Sequence, residues 1–331
     1  MSGVALLLPG QGAQHPGMAT ALYRTEPVFT AVLDEFFAEL GAEGDRLRAD
    51  WLGPRPVVPL DDASRAQPLL FAIGYAMGRT VLARGLEVTA LLGHSVGELA
   101  AAALAGVFDL PAAAGIMRAR TAALAGVPPG GLLAVAAAPE RLTRWLGGPD
   151  PVLGAVNAPG QTVLAGTGPA LDAVEKSLLD NGIGCRRIGA RQPFHSPAVA
   201  DAAAEFEAGF ATVRLRPPRI PVWSASTGEP VRPDQAVSPG FWARQLAGPV
   251  WFHRALDGLL GTRPGALVET GPGRSLSMLA RRHPVVRRRR IPVLPLLPAA
   301  TATAATAARW HEAKHRLTDF LSNGEKGKAT S

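Results

Sequence analysis

Apolar residues along this chain alternate between short unbroken runs and helix-spaced sets, the pattern of strands interleaved with helices. Val4 to Leu8 is an apolar run of strand length that opens into the loop Pro9-Gly10-Gln11-Gly12-Ala13-Gln14. A helix is predicted around residues 26 to 40. Residues 42 to 66, rich in Pro, Asp and Arg, read as irregular. Gln67 to Arg84 reads as a helix, with Leu70, Ile73, Met77 and Leu82 near helical spacing. Val88 to Leu92 is a second apolar run, and the Ala/Leu-rich residues 99 to 107 form a helix that is apolar all round and therefore buried. A further helix covers Pro111 to Leu124, with Pro111 in its first turn.

From about residue 130 the texture changes. Leu132 to Ala138 is strand-like and Glu140 to Leu146 helix-like. Val152 to Asn157 and Thr162 to Ala165 read as paired strands about a turn at Ala158-Pro159-Gly160. Ala170 to Asn181 is helical, and Gly184 to Ala190 supplies a last strand. That order is βαββαβ, a ferredoxin-like unit, read here as a subdomain inserted at 130–190 into a main domain of residues 1–129 and 191–297. The main domain resumes with a helix around Val199 to Phe210 and a strand at Ile220 to Ser224. Helical segments near Pro239 to Ala247 and Phe252 to Leu260 follow, then the strand Ala266 to Glu269 and the turn Thr270-Gly271-Pro272-Gly273. Residues 298–331 form a separate tail. Ala299 to Ala308 is an Ala/Thr linker or weak helix, and Arg309 to Leu321 is amphipathic, with Trp310, Leu317, Phe320 and Leu321 toward one side.

The chemistry concentrates at Gly93-His94-Ser95-Val96-Gly97-Glu98, between an apolar strand and a buried helix. Strand, Gly-x-Ser-x-Gly, helix is the context of a nucleophile elbow, a sharp turn that lifts a serine hydroxyl clear of its sheet. Ser95 is the candidate nucleophile, and the helix N-terminus beneath it favours negative charge as a carbonyl is attacked.

Composition narrows the setting. The 331 residues are 47% hydrophobic, ample for a large core. Met1 to Gly10 lacks a basic start and breaks at Pro9-Gly10, unlike a signal peptide. No uninterrupted apolar run spans a bilayer. Cys185 is the only cysteine, which rules out an intrachain disulfide framework and a cysteine metal cluster and suits a cytoplasmic setting. The net charge of +7 favours an acidic partner or substrate. Nucleic acid is disfavoured, because no zinc spacing, aromatic-basic interleaving or basic helix pattern is present. The densest basic run, Arg287 to Arg290, is short and sits beside Pro292.

Several segments together resemble the malonyl-CoA:acyl-carrier-protein transacylases and the acyltransferase domains of polyketide synthases. They are Pro9 to Gln14, Gln67-Pro68, Gly93 to Glu98, Arg118 with Arg120, Asn157-Ala158-Pro159 with Val163 to Gly166, Phe194-His195-Ser196-Pro197, and Glu269 to Gly273. They follow the family's order over about residues 4 to 297. The resemblance implies an α/β-hydrolase-like main domain with the ferredoxin-like insertion. It casts Ser95 as nucleophile and His195 as general base, oriented mainly by backbone carbonyls, so no third carboxylate is nominated. It places the oxyanion hole at the backbone N–H groups of Gln11 and Val96. Arg120 lies 25 residues after Ser95, the family's spacing, and resembles the arginine that grips the free carboxylate of a malonyl group. Gln67 and Phe194 are assigned to acyl-group binding, and Phe194 before the histidine points to malonyl rather than methylmalonyl.

Two departures stand out. Leu132 replaces a methionine common in the family. Trp251 stands where many relatives carry a polar residue, a change that is tolerable if only its carbonyl orients His195.

The implied reaction moves a malonyl or related dicarboxylic acyl group from coenzyme A to an acidic acyl carrier protein, in fatty acid or polyketide (antibiotic) biosynthesis. It requires no metal or cofactor, no nucleic acid and no membrane. The chain starts at Met1 and stops soon after the fold closes, the organisation expected of a discrete, trans-acting enzyme. Two alternatives are an acyl hydrolase of the same fold, clearing stalled carrier proteins, and a non-catalytic carrier-protein-binding module. Arg120 argues against the hydrolase, since stalled acyl chains usually lack a free carboxylate at that position, and the intact Ser95, His195 and Arg120 argue against the binding module.

Overall fold

A computed structural model describes residues 3–297 together with Trp310, Glu312 and His315. The main sheet has six strands: β1 (Val4–Leu8), β2 (Val88–Gly93), β7 (Val222–Ser224), β8 (Glu229–Pro230), β9 (Ala266–Glu269) and β10 (Val293–Pro295). Their order is β10-β9-β1-β2-β7-β8. All neighbours pair in parallel except β7 and β8. β1 is buried at every position, as expected for a parallel strand covered on both faces. The connection from β1 to β2 carries the helices Pro27–Leu40, Ala42–Leu52 and Ala63–Ala83. β1 lies between β2 and β9, so the connections leave its two flanks in different directions. The crevice beyond the carboxyl ends of such strands is where open α/β sheets bind ligands.

The second sheet contains β3 (Gly130–Val135), β4 (Val152–Ala158), β5 (Gln161–Thr167) and β6 (Cys185–Ile188). Its order is β4-β5-β3-β6, antiparallel throughout. That is the ferredoxin-like arrangement, with the 3₁₀ segment Pro139–Trp145 as first crossover and the helix Gly168–Asp180 as second. Side-chain alternation divides its two faces. Leu133, Val135 and Leu164 pack with Leu142, Leu171, Val174 and Leu178 in a separate core. Leu132 and Val163 point the other way, into the main core, and roof the cleft described below.

Two expectations are corrected and one segment is added. Residues 42–52 are helical, not irregular. Leu47 and Trp51 face the core, and buried Asp50 pairs with Arg65 at 2.6 Å. The helix read from Gln67 starts at Ala63, capped by the Asp62 side chain on the Ser64 N–H. After Gly273 the chain forms the helices Ser275–Arg282 and Pro284–Arg289 and the edge strand β10. The basic run at Arg287 to Arg290 therefore ends a helix, where cations suit the dipole. In the tail, Trp310 is helical and buried, with the Arg84 guanidinium 5.4 Å from its ring. Ala299 to Ala308, Leu317, Phe320 and Leu321 lie outside the described residues. No helix among the described residues is long and apolar enough to cross a membrane.

Candidate active site

Strands β9, β1 and β2 deliver their C-terminal loops to one cleft of about 270 Å³. After β2 the chain turns through His94, Ser95 and Val96 into the helix Gly97–Leu104. Ser95 takes the left-handed conformation at φ 55°, which is strained for a residue with a side chain. Glycine is required on either side. A Cβ on Gly93 would lie 2.2 Å from the Glu98 nitrogen, and one on Gly97 would lie 2.1 Å from the Leu8 carbonyl oxygen. The Gly-x-Ser-x-Gly spacing is thus a packing requirement between the helix start and the ends of β1 and β2.

Ser95 Oγ and His195 Nε2 are 2.8 Å apart, both residues buried. His195 Nδ1 faces the carbonyl oxygens of Gly248 at 2.9 Å and Gln245 at 3.1 Å. Carbonyls only accept, so Nδ1 carries the hydrogen and the Nε2 lone pair faces the serine hydroxyl. The His195 N–H also donates to the Leu246 carbonyl at 2.9 Å. The carbonyl of Trp251 takes no part; it accepts from Ala255 N–H, so the expectation for Trp251 is corrected. Burial, with smaller contributions from His94 and Arg120, pushes the His195 pKa down to about 3. The ring is therefore neutral and able to accept a proton across the physiological range. His94 is turned away from the serine and bonds the Asn157 side chain at 2.8 Å.

No hydrogen bond among the described residues uses the N–H of Gln11 or Val96, the two groups flanking Ser95 from the loops after β1 and β2. Phe194 is buried, lines the same cleft, and sets its ring 6.5 Å from that of His195.

Arg120 lies on the helix Leu110–Ala125 and is fully buried. Its Nε donates to Gln67 Oε1 at 2.9 Å. Its two terminal nitrogens are buried with no protein partner, and its guanidinium carbon is 5.3 Å from the Phe206 ring centre. Burial lowers its pKa to about 9, with buried Glu98 opposing the shift. Neither Gln67 nor Arg120 lines the cleft itself; both lie buried behind Gln11. The Gln67 amide spans from Arg120 to Gln11, donating to Gln11 Oε1 at 2.8 Å.

Some participants carry no local sequence signal. The carbonyls of Gln245 and Gly248 could not be read from side-chain identity. Glu98 stands in the elbow motif, where its position could have suggested a role. It accepts from the Ser224 hydroxyl at 2.8 Å and from the Ser226 N–H and hydroxyl at 3.0 Å each, and burial raises its pKa to about 7. Arg186 and Arg282 stand exposed at the mouth of the cleft, with no ion pair among the described residues.

The chain matches the model of the acyl transferase domain family over residues 6–318. It is 40% identical over 282 residues to a polypeptide of the phenolphthiocerol/phthiocerol polyketide synthase of Mycobacterium tuberculosis, covering 85% of this chain but 19% of that protein's length. Among solved structures it resembles the acyl transferase domain of SpnD in complex with 2-(pent-4-yn-1-yl)malonyl. The TM-score is 0.87 and the identity 33%, over 96% of this chain and 76% of that one. A malonyl-CoA:acyl carrier protein transacylase of Xanthomonas oryzae pv. oryzae superposes with a TM-score of 0.81 at 27% identity, over 93% and 98% of the two chains. With a family match running nearly end to end and the elbow, the opposed histidine and both sheets in place, this chain belongs to the acyl transferase domain family.

Proposed function

We propose that the protein transfers a malonyl group, or a closely related dicarboxylic acyl group, from coenzyme A to the phosphopantetheine thiol of an acyl carrier protein. Ser95 Oγ attacks the thioester carbonyl while its proton passes to His195 Nε2. The backbone N–H groups of Gln11 and Val96 receive the developing oxyanion. The intermediate collapses to malonyl-Ser95, and the departing coenzyme A sulfur takes the proton from His195. The carrier thiol then gives its proton to the same nitrogen, attacks the acyl-serine, and leaves as the thioester as Ser95 recovers the proton.

The observation that carries the substrate reading is Arg120. Its two terminal nitrogens are buried without partners, and a buried unpaired guanidinium favours a ligand that brings a carboxylate. Nearness to a relative described with a malonyl-derived group supports the same class. Phe194, against the histidine, limits room beside the α-carbon and supports malonyl over methylmalonyl. The bounds 1–129 with 191–297 and 130–190, a trans-acting role and a cytoplasmic setting belong to this reading. So does an acidic carrier partner, supported by the net charge of +7 and by Arg186 and Arg282 at the cleft mouth.

Intact-mass measurement after mixing with malonyl-CoA tests the reading. The wild-type chain should gain one malonyl group, and Ser95→Ala, folded as judged by circular dichroism, should gain none. In serine enzymes loss of the nucleophile costs on the order of 10⁶ in rate. A Ser95→Ala protein acylated at the wild-type rate rules this serine out.

A further inference from the structure

The donors and acceptors around Gln11 form one continuous chain with a fixed polarity. An arginine offers only donors, so Arg120 Nε–H at 2.9 Å fixes which end of the Gln67 amide is oxygen. The nitrogen of that amide then meets Gln11 Oε1 at 2.8 Å. This in turn aims Gln11 Nε2 at the carbonyls of Asp61, 3.2 Å away, and Gly189, 3.4 Å away. The other side of the loop is fixed the same way. Gln14 Oε1 takes the Gly12 N–H at 2.6 Å, and Gln14 Nε2 donates to Asp61 Oδ1 at 2.7 Å. Every orientation agrees with the next, and the Gln11 main-chain N–H lies between the two halves.

The ends of this chain sit in different kinds of structure. Gln67 and Arg120 sit on long helices, Ala63–Ala83 and Leu110–Ala125. Gln11 begins the turn that follows β1, after Pro9 and Gly10. Among the described residues, the only hydrogen bond of the Arg120 guanidinium is the one to Gln67. A carboxylate that takes the two unpartnered terminal nitrogens of Arg120 makes charge-assisted bonds, about twice as strong as neutral ones, and any shift of the guanidinium that they draw passes to Gln67 through the Nε bond. The planar Gln67 amide cannot follow at one end without turning at the other. That turn reaches the Gln11 loop through the bond to Gln11 Oε1.

We propose that Gln67 is a positioning residue that couples a carboxylate on Arg120 to the placement of the Gln11 backbone N–H. A dicarboxylic acyl group is then favoured in the chemical step as well as in binding. The inference rests on the malonyl reading above and extends it, since recognition of the carboxylate and stabilisation of the oxyanion become one event. It also recasts Gln67, whose amide oxygen and one amide hydrogen are already engaged, from a substrate contact to the link between two substrate contacts.

The test is single-turnover acylation of the full chain by malonyl-CoA and by acetyl-CoA, read by quenched intact mass over a range of donor concentrations. Gln67→Met removes both hydrogen bonds at similar volume. It should lower the malonyl-to-acetyl ratio of limiting acylation rates about tenfold, with less than a threefold change in the malonyl-CoA concentration for half-maximal rate. Gln11→Met cuts the chain at the next link while keeping the main-chain N–H and the Gln67–Arg120 bond. It should lower the same ratio to a similar extent, and it serves if Gln67→Met does not fold.

Weaker malonyl-CoA saturation at an unchanged limiting rate would make Gln67 a mere support for Arg120. Equal losses for both donors would make it structural. Either result overturns the coupling. A wild-type chain that forms no malonyl adduct refutes the underlying substrate reading instead, and so separates the two failures.

Discussion

Arg120→Met should move stability and substrate choice in opposite directions. The wild-type guanidinium is fully buried, with two terminal nitrogens unpartnered. Burial drops its pKa from the usual guanidinium range to about 9, equivalent to several kcal/mol of penalty on the charged form. The folded pKa of this base is depressed. The penalty is therefore fully present below about pH 9 and is relieved only as pH rises toward the unfolded value.

Methionine removes the penalty but leaves Gln67 Oε1 without its donor, at a cost of about 1–3 kcal/mol. The net expectation is a gain of about 1–2 kcal/mol, or roughly 2–5 °C in melting temperature for a chain of this size. The substrate carboxylate loses two charge-assisted hydrogen bonds. After its own desolvation they are worth about 3 kcal/mol, near 10²-fold in malonyl acylation. Acetyl acylation, which lacks the carboxylate, should change far less. Thermal melting and a malonyl/acetyl competition read by intact mass measure the two effects on one preparation. A lower melting temperature, or equal loss of both substrates, refutes the claim that this arginine is kept for a ligand rather than for the fold.

The acylation rate should show no His195 titration between pH 5 and 8 by order of magnitude, because the ring stays neutral down to about pH 3. Its stability contribution runs the same way, complete above the unfolded histidine pKa and lost as pH falls toward about 3. Any inflection near pH 7 is assigned to Glu98, raised to about 7; pH–rate profiles should lose it in Glu98→Gln, and its persistence there would refute the assignment. Phe194→Ser should raise methylmalonyl over malonyl use by roughly 10-fold, since a methyl group is worth about 1–3 kcal/mol of discrimination; an unchanged competition ratio would remove the basis for the malonyl preference.

Much of the framework was legible because local signals agreed with tertiary ones. β1, the elbow and the helix Leu110–Ala125 combine apolar runs with clear boundaries, including Asp109, whose side chain caps the helix at Ala112 N–H. The βαββαβ order followed from turn residues and alternation alone. The helix Ala42–Leu52 was hidden because its charges look solvated in sequence. In the fold Arg65 bonds both Glu43 and Asp50, 22 and 15 residues away along the chain. The helix Ser275–Arg282 was hidden because its N-terminal cap is remote: Glu269, at the end of β9, accepts from Leu276 and Ser277 N–H at 3.0 and 2.8 Å. In the site, the candidate serine, histidine and arginine were readable from the motif resemblance. The carbonyls that aim the histidine were not, since any residue could supply them.

The segment that aims His195 is itself fastened to the smaller sheet. Just beyond Gly248, Val250 N–H donates to Gly154 at 2.9 Å, and its carbonyl accepts from Val156 N–H at 2.8 Å, a short parallel bridge against β4. Asn157, on the same strand, holds His94 beside the serine. Anyone grafting a relative's small sheet into this chain would thus be cutting through the mounting of the base. The seam to preserve is Gly154–Val156 against Val250, as much as the chain ends near residues 130 and 190. A graft that folds but shifts this register by one residue should acylate slowly, because the carbonyl of Gly248 no longer aims His195.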